Sequence, residues 1–259
     1  MSIDKLNFIV NLCLHKYNNM EHEEYTAENY PSFGKKYNNE IGVISLTSWT
    51  ARINTVAKTL FSLVQQCPNF HIVLVLAEEE FPKMTAELPE NLMLFVENEL
   101  IELMFVRKNY RSFKKVLFTM DKYRDVPVIS ADDDCIYTCN YAQMLYDEWK
   151  KNKTSIISVK TGCENGYAVG PYGCGTLYYP NFFSNEKLQK IINLSYISNL
   201  DDFVTAVYCK HNHIKIISKN LFKTIIFINQ NDKRISSPAN LNKTKYYRKK
   251  ILELFKTIR

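Results

Sequence analysis

Val126-Pro127-Val128-Ile129-Ser130-Ala131-Asp132-Asp133-Asp134-Cys135-Ile136-Tyr137 lies at the middle of the 259-residue chain, and its reading decides the fold. Four residues suited to a buried strand run directly into three consecutive carboxylates. Like charges side by side repel, and burying any of them unpaired is costly, so a strand that ends this way calls for a cation at its tip. Ligands made only of oxygen suit a hard divalent ion, Mn²⁺ or Mg²⁺. A solvated acidic turn is the plainer alternative, but Cys135-Ile136-Tyr137 turns apolar again at once.

Upstream of this stretch, strand and helix patterns alternate. Ile41 to Thr47 reads as a strand, and Ser48-Trp49-Thr50-Ala51-Arg52 leads into a helical run from Ile53 to Gln66 with Val56, Leu60, Leu63 and Val64 on one face. His71 to Ala77 is almost continuously apolar, as a strand covered on both faces would be. Strands around Met93 to Val96 and Leu100 to Val106 and a helix from Phe113 to Tyr123 complete the half. Such alternation predicts an α/β fold, a mostly parallel sheet with helices on both faces. In these sheets ligands bind outside the carboxyl ends of the strands, where Thr47 to Arg52, Ala77 to Glu80 and Asp132 to Asp134 converge on a cleft of nucleotide size.

Downstream, a helix is expected over Tyr141 to Lys151, a strand over Ser155 to Lys160, helices over Asn185 to Asn193 and Phe203 to His211, and a last strand over Ile214 to Ser218. Five of the seven glycines fall between Gly162 and Gly175, which implies turns or a close approach of backbone to ligand. Residues 1–17 fit a short helix, and the polar stretch from Asn18 to Glu40 a leader over the domain. The organisation expected is therefore 1–40 leader, 41–240 catalytic domain with a donor half 41–137 and an acceptor half 138–240, and 241–259 a basic amphipathic tail.

Composition narrows the function. The net charge of +6 is matched by the tail alone, where seven basic residues from Lys243 to Arg259 face one acid, Glu253. A near-neutral body excludes a nucleic-acid-binding face, which needs basic charge on the folded domain. Seven cysteines at irregular gaps, without a metal-binding spacing, read as reduced thiols in a cytoplasm. No run of 18 apolar residues occurs, so neither a membrane span nor a signal peptide is expected. The tail instead alternates cations with Ile251-Leu252, Leu254-Phe255 and Ile258, a pattern for peripheral attachment to an anionic membrane leaflet or for packing on the domain.

Other residues carry chemistry. Asp201-Asp202 can cap a helix or supply a general base that takes a proton from an acceptor hydroxyl. Arg111, Lys114 and Lys115 flank a helix start and are either an exposed basic face or contacts to ribose or diphosphate; Arg52 has the same two readings. No P-loop, G-x-G-x-x-G or G-x-S-x-G occurs, against kinase, dehydrogenase and serine-hydrolase classes.

Taken in order, Val43-Ile44-Ser45-Leu46-Thr47-Ser48-Trp49 with Arg52-Ile53, Glu80-Phe81-Pro82 with Leu88-Pro89, Arg111-Ser112-Phe113-Lys114-Lys115, Ala131 to Tyr137, Gly173 to Pro180 and Asp201-Asp202 resemble bacterial glycosyltransferases of the GT-A fold, of the capsule and lipopolysaccharide type. The resemblance covers roughly residues 41 to 218. It implies a nucleotide-sugar donor, a UDP-sugar favoured, with Thr47, Ser48 and Arg52 near base and ribose and Lys114 or Lys115 near ribose or phosphate. It equates the aspartate run with a DXD motif that holds Mn²⁺ or Mg²⁺ against the diphosphate. Asp132 with Asp134 has the spacing, and a shifted register brings in Asp133. Asp201 or Asp202, the latter preferred, falls where inverting relatives keep their base. Where that pattern has an acid before Arg111-Ser112, this chain has Lys108-Asn109-Tyr110.

The reading is then a metal-dependent, cytoplasmic glycosyltransferase acting on a hydroxyl of a surface glycan or lipid-linked glycan, peripheral to the membrane through its tail. A sugar-nucleotide nucleotidyltransferase and a non-catalytic binding module are the rivals. The nucleotidyltransferase is disfavoured because Ser48-Trp49-Thr50-Ala51 lacks the glycine-rich loop that such enzymes use.

Overall fold

The computed structural model describes residues 30–228, apart from 66–67, 139, 165, 171–173 and 185–199, together with 248–249, 251–253 and 255. The helices expected over 1–17 and over Asn185 to Asn193 lie outside the described residues.

The strands are β1 (Ser32–Gly34), β2 (Gly42–Thr47), β3 (Phe70–Ala77), β4 (Glu102–Val106), β5 (Val128–Ala131), β6 (Cys135–Tyr137), β7 (Ile156–Ser158), β8 (Gly162–Glu164), β9 (Tyr167–Val169), β10 (Thr176–Tyr178), β11 (Ile216–Ser218) and β12 (Ile225–Phe227), of which β2 to β5 are the mainly apolar, buried core strands. The helices are α1 (Val56–Val64), α2 (Glu90–Glu97), α3 (Lys114–Lys122), α4 (Tyr141–Lys151) and α5 (Asp201–His211). Eight strands join one sheet in the order β1-β4-β3-β2-β5-β10-β7-β11. The run β4-β3-β2-β5 is parallel throughout, whereas β10 lies antiparallel between β5 and β7, and β1 lies antiparallel on the β4 edge.

Because side chains alternate across a strand, each central strand feeds two cores. Ile44, Leu46, Leu74, Leu76, Leu103, Phe105 and Ile129 pack on one face with Leu60 and Leu63 of α1, Leu92 of α2 and Tyr141 of α4. Val43, Val73, Val75, Met104, Val106 and Val128 pack on the other with Val116 and Met120 of α3 and Phe203, Val204 and Val207 of α5. Fully buried on both faces, these strands have the composition of a doubly covered parallel sheet.

Several boundaries and elements differ from expectation. Met93 to Val96 belongs to α2, not to a strand; Pro89 stands at its N-cap position and Glu90 in its first turn, the combination that starts a helix. Part of the stretch read as a leader forms β1, whose Ser32 to Gly34 pair with Met104 to Glu102. Regular structure also continues past Ser218, since β12 pairs with β6 in a separate two-stranded sheet. Asp201 and Asp202 do not cap α5 but form its first turn, with Leu200 at the cap position and no side-chain cap bond. The tail's Ile251 and Phe255 are buried against the second core, where the Phe255 ring stacks on His211 at 5.5 Å and Arg248 lies over the Phe203 ring at 5.2 Å.

Candidate active site

In chain order the sheet grows from β2 to β3 to β4 on one side and then resumes with β5 on the other, so the strand order reverses between β2 and β5. That reversal splays the two following loops and opens a crevice at the carboxyl ends of the strands. The loops are Ser48 to Arg52 and Asp132 to Asp134.

Four anchors hold the aspartate loop. Thr59 on α1 donates its hydroxyl to the Asp133 carbonyl at 3.0 Å, and Ser62 on the same helix accepts the Tyr137 N–H at 3.1 Å. The Tyr137 hydroxyl accepts the Asp132 N–H at 2.8 Å. From the far end of the chain, Ile228 donates its N–H to the Asp134 carbonyl at 2.7 Å.

Held this way, the three carboxylates separate by role. Asp133 continues the inward alternation of Ala131 and Cys135 and is buried; it accepts the Ser48 hydroxyl at 2.7 Å and the Arg52 guanidinium at 2.8 Å. Asp132 and Asp134 are more open, with side chains 35% and 20% exposed. Arg52 also reaches Asp134 at 3.0 Å. Burial and the neighbouring Asp132 charge push the Asp134 carboxyl above its ordinary range, and Arg52 offsets part of the rise.

A second set lies across the cleft. Lys115 at the start of α3 is buried, with its side chain 2% exposed, and its ammonium donates to Asp132 at 2.5 Å. Burial opposes the charge on Lys115, but Asp132, Asp201 and Asp202 outweigh it and hold the ammonium above its usual range. The helix is fixed to the sheet where Ser45 on β2 donates to the Lys115 carbonyl and meets the Thr119 hydroxyl at 2.8 Å. Asp201 is bonded to Ser112, and burial raises its pKa against the opposing pull of Lys115.

The sequence-predicted residues therefore divide into groups. Ser48, Arg52, Asp133 and Asp134 form one, and Lys115, Asp132, Asp201 and Asp202 another. Lys114 is buried beside them, donating to Glu80 at 3.0 Å and Asn109 at 3.3 Å, and burial lowers its pKa. Thr47 donates its hydroxyl to the β3 backbone at Val75, 2.7 Å away. Arg111 is exposed and takes a left-handed backbone with φ of 52°. Sequence reasoning brought Glu80 to the cleft without giving it a role there, and gave none to Ser112 or Tyr137. Glu80 had a signal, since it follows a strand that ends in the cleft.

Among the described residues no group of three His, Cys, Asp or Glu forms a ready-made metal cage. Asp132 and Asp134 still suit Mn²⁺ or Mg²⁺, because such an ion is normally held by one or two carboxylates and completed by substrate phosphates and water. Both carboxylates are hard oxygen donors partly open to solvent, each also paired with a cation, Asp132 with Lys115 and Asp134 with Arg52. Among the described residues no helix is long and apolar enough to cross a membrane, and Cys135, Cys163, Cys174 and Cys209 are free thiols.

These features define a GT-A-like α/β fold, with a mostly parallel sheet and a cleft at its switch point. No family model matches the chain, and no curated protein does so. Solved structures do: TarS of S. aureus, residues 1–349, superposes with a TM-score of 0.51 at 12% identity over 84% of this chain and 70% of that one. A mannosyltransferase, PcManGT from Pyrobaculum calidifontis, in complex with GDP-Man and Mn²⁺, gives 0.49 at 12% identity over 82% of this chain and 62% of its own. The glycosyltransferase GlyE of Streptococcus pneumoniae TIGR4 gives 0.47 at 16% identity over 70% of this chain and 46% of its own. The chain thus spans less than two thirds of the length of the last two. At such identities the likeness concerns the fold.

Proposed function

We propose that the chain is a glycosyltransferase that moves a sugar from a nucleoside diphosphate donor, a UDP-sugar favoured, to a hydroxyl on a surface glycan or lipid-linked glycan, with inversion. The observation that carries this reading is the meeting of two acidic sets at one buried cation. Asp132 and Asp134 follow β5, Asp201 and Asp202 form the first turn of α5, and Lys115 is bonded to Asp132 while lying in the field of Asp201 and Asp202. A fold alone does not name a chemistry, so the weight rests on this arrangement.

Asp132 and Asp134 would hold the divalent ion, which would supply charge neutralisation for the departing diphosphate. Arg52 keeps Asp134 in position while Asp133 anchors Arg52 from below. Asp202, or Asp201 beside it, accepts the proton of the attacking hydroxyl; burial raises the Asp201 pKa, which makes that carboxylate the stronger base. In this reading Lys114, which is paired with Glu80, and the exposed Arg111 supply contacts to ribose or phosphate.

Divalent-dependent hydrolysis of donor, or transfer to acceptor, tests the proposal. Parent protein should turn over a nucleotide sugar with Mn²⁺ or Mg²⁺, and Asp134→Ala should lose donor binding. Absence of any divalent-dependent turnover, together with unchanged donor binding by Asp134→Ala, sinks it. Peripheral attachment at a cytoplasmic membrane face completes the proposal. Since Ile251 and Phe255 pack inward, the contact would run through the basic side of the tail. Equal co-sedimentation with anionic liposomes of the full chain and of a truncation at Leu241 would remove that part.

A further inference from the structure

Lys115 stands in an unusual place for a cation. It is almost fully buried, yet its ammonium sits on Asp132, one of the two carboxylates that face the cleft. The same ammonium lies in the field of Asp201 and Asp202, the acidic pair on the opposite wall. Asp201 is bonded to Ser112, three residues before Lys115 on the segment that leads into α3, so both walls of the cleft meet at the start of this helix.

We propose that Lys115 is an internal counter-cation that holds Asp132 while the protein is empty and passes to the Asp201–Asp202 pair when a divalent ion arrives. The proposal rests on the reading that Asp132 and Asp134 take that ion. A divalent cation and an ammonium held by one carboxylate repel each other. Lys115 donates to Oδ1 of Asp132, so an arriving ion competes with the ammonium for that carboxylate, and the other carboxylates whose charge acts on Lys115 are Asp201 and Asp202 of α5. The transfer is a coupling between the donor side and the acceptor side: what binds one changes the charge at the other. Lys115 acts through Asp132 and Asp201–Asp202 and is a positioning residue in this scheme.

The test is Mn²⁺ binding to the donor-free protein, followed by the loss of the free-ion signal in electron paramagnetic resonance. Lys115→Met removes the competitor and should bind Mn²⁺ at least about fivefold more tightly than the parent, the lower end of ordinary site-to-site coupling. Lys115→Arg keeps the charge and should behave as the parent. A merely structural role would weaken the site, not tighten it. The passage to α5 is tested by Asp201→Asn with Asp202→Asn in both backgrounds: it should weaken Mn²⁺ binding more when Lys115 is present than when it is Met, a non-additive cycle.

Equal or weaker Mn²⁺ binding by a natively melting Lys115→Met overturns the proposal. Tighter binding with an additive cycle overturns the passage to α5. If neither parent nor variant binds Mn²⁺ even with a nucleoside diphosphate added to supply the phosphate ligands, the cation reading of Asp132 and Asp134 itself is overturned. Should Met prevent folding, Lys115→Gln keeps a polar contact without the charge and makes the same comparison.

Discussion

Replacing Asp133 by Ala should unfold the protein more readily than it disables the cleft. The carboxylate is buried and serves two partners, the Ser48 hydroxyl and the Arg52 guanidinium, and its own backbone is tied to Thr59. Removing one member of a buried ion pair leaves an uncompensated charge and costs about 3–5 kcal/mol. Arg52 retains Asp134 at 3.0 Å, which favours the lower part of that range, while the stranded Ser48 hydroxyl adds about 1 kcal/mol. For a chain of this size each kcal/mol lowers Tm by about 2–4 °C, so Asp133→Ala should melt roughly 10 °C below the parent. Asp134→Ala provides the contrast. Its carboxyl is more exposed and is raised in pKa by burial and by Asp132, so its loss should leave Tm within about 2 °C. Thermal melts followed by circular dichroism, with urea titrations as a second measure, decide the matter. The assignment of Asp133 as the anchor fails if it melts with the parent, or if Asp134→Ala is destabilised equally.

Two further perturbations have a defined sign. Burial raises the Asp201 pKa, so its neutral carboxyl favours the folded state below its unfolded pKa, and that contribution is lost as pH rises through the folded value and the buried group ionises; Asp201→Asn, neutral at every pH, should raise Tm at pH 7 while abolishing or slowing transfer, and a lower Tm there would refute the reasoning. At the opposite end of the sheet Glu102 accepts from Lys122 at 2.6 Å, lies 2.7 Å from His71 and is bonded to Tyr123. Despite the burial that works against its charge, these partners bring its pKa down to about 2. It therefore stabilises the protein above about pH 4.5 and loses that contribution as pH falls toward about 2, a change of about 3 kcal/mol. Urea titrations from pH 5 to pH 2 should show Glu102→Gln losing less stability than the parent over that window; parallel curves would count against it.

How much of this was readable beforehand follows from the physics of each segment. The strands β2, β3 and β5 were legible because a strand buried on both faces must be continuously apolar, and few other elements are. Met93 to Val96 is equally apolar and was misread as a strand; only Pro89 and Glu90 before it separate the two cases. The short strands β1 and β12 carry three residues each and depend on partners distant in sequence, Leu103 and Ile136 among them, so no local pattern announces them. Within the site, the aspartate run pointed to a cation, but not to a lysine and an arginine already seated among the carboxylates. The split of Asp133 from its neighbours could have been found by carrying the two-residue alternation of β5 past its end, since Ala131, Asp133 and Cys135 are all buried. The link of Lys115 to both walls could not, because it depends on how α3 and α5 pack against the sheet.

The pairing of β6 with β12 bears on how the chain can be divided. A cut after Tyr137 would separate the strands in two halves by sequence, but β6 takes its hydrogen bonds from Ile225 to Phe227, and the Asp134 carbonyl takes the N–H of Ile228. The loop that carries the acidic run is thus finished by residues about 90 positions later. A chimera that exchanged residues 41–137 for those of a relative would inherit a foreign clasp unless 225–228 travelled with them. Here the unit of exchange is a pair of segments, not a contiguous half.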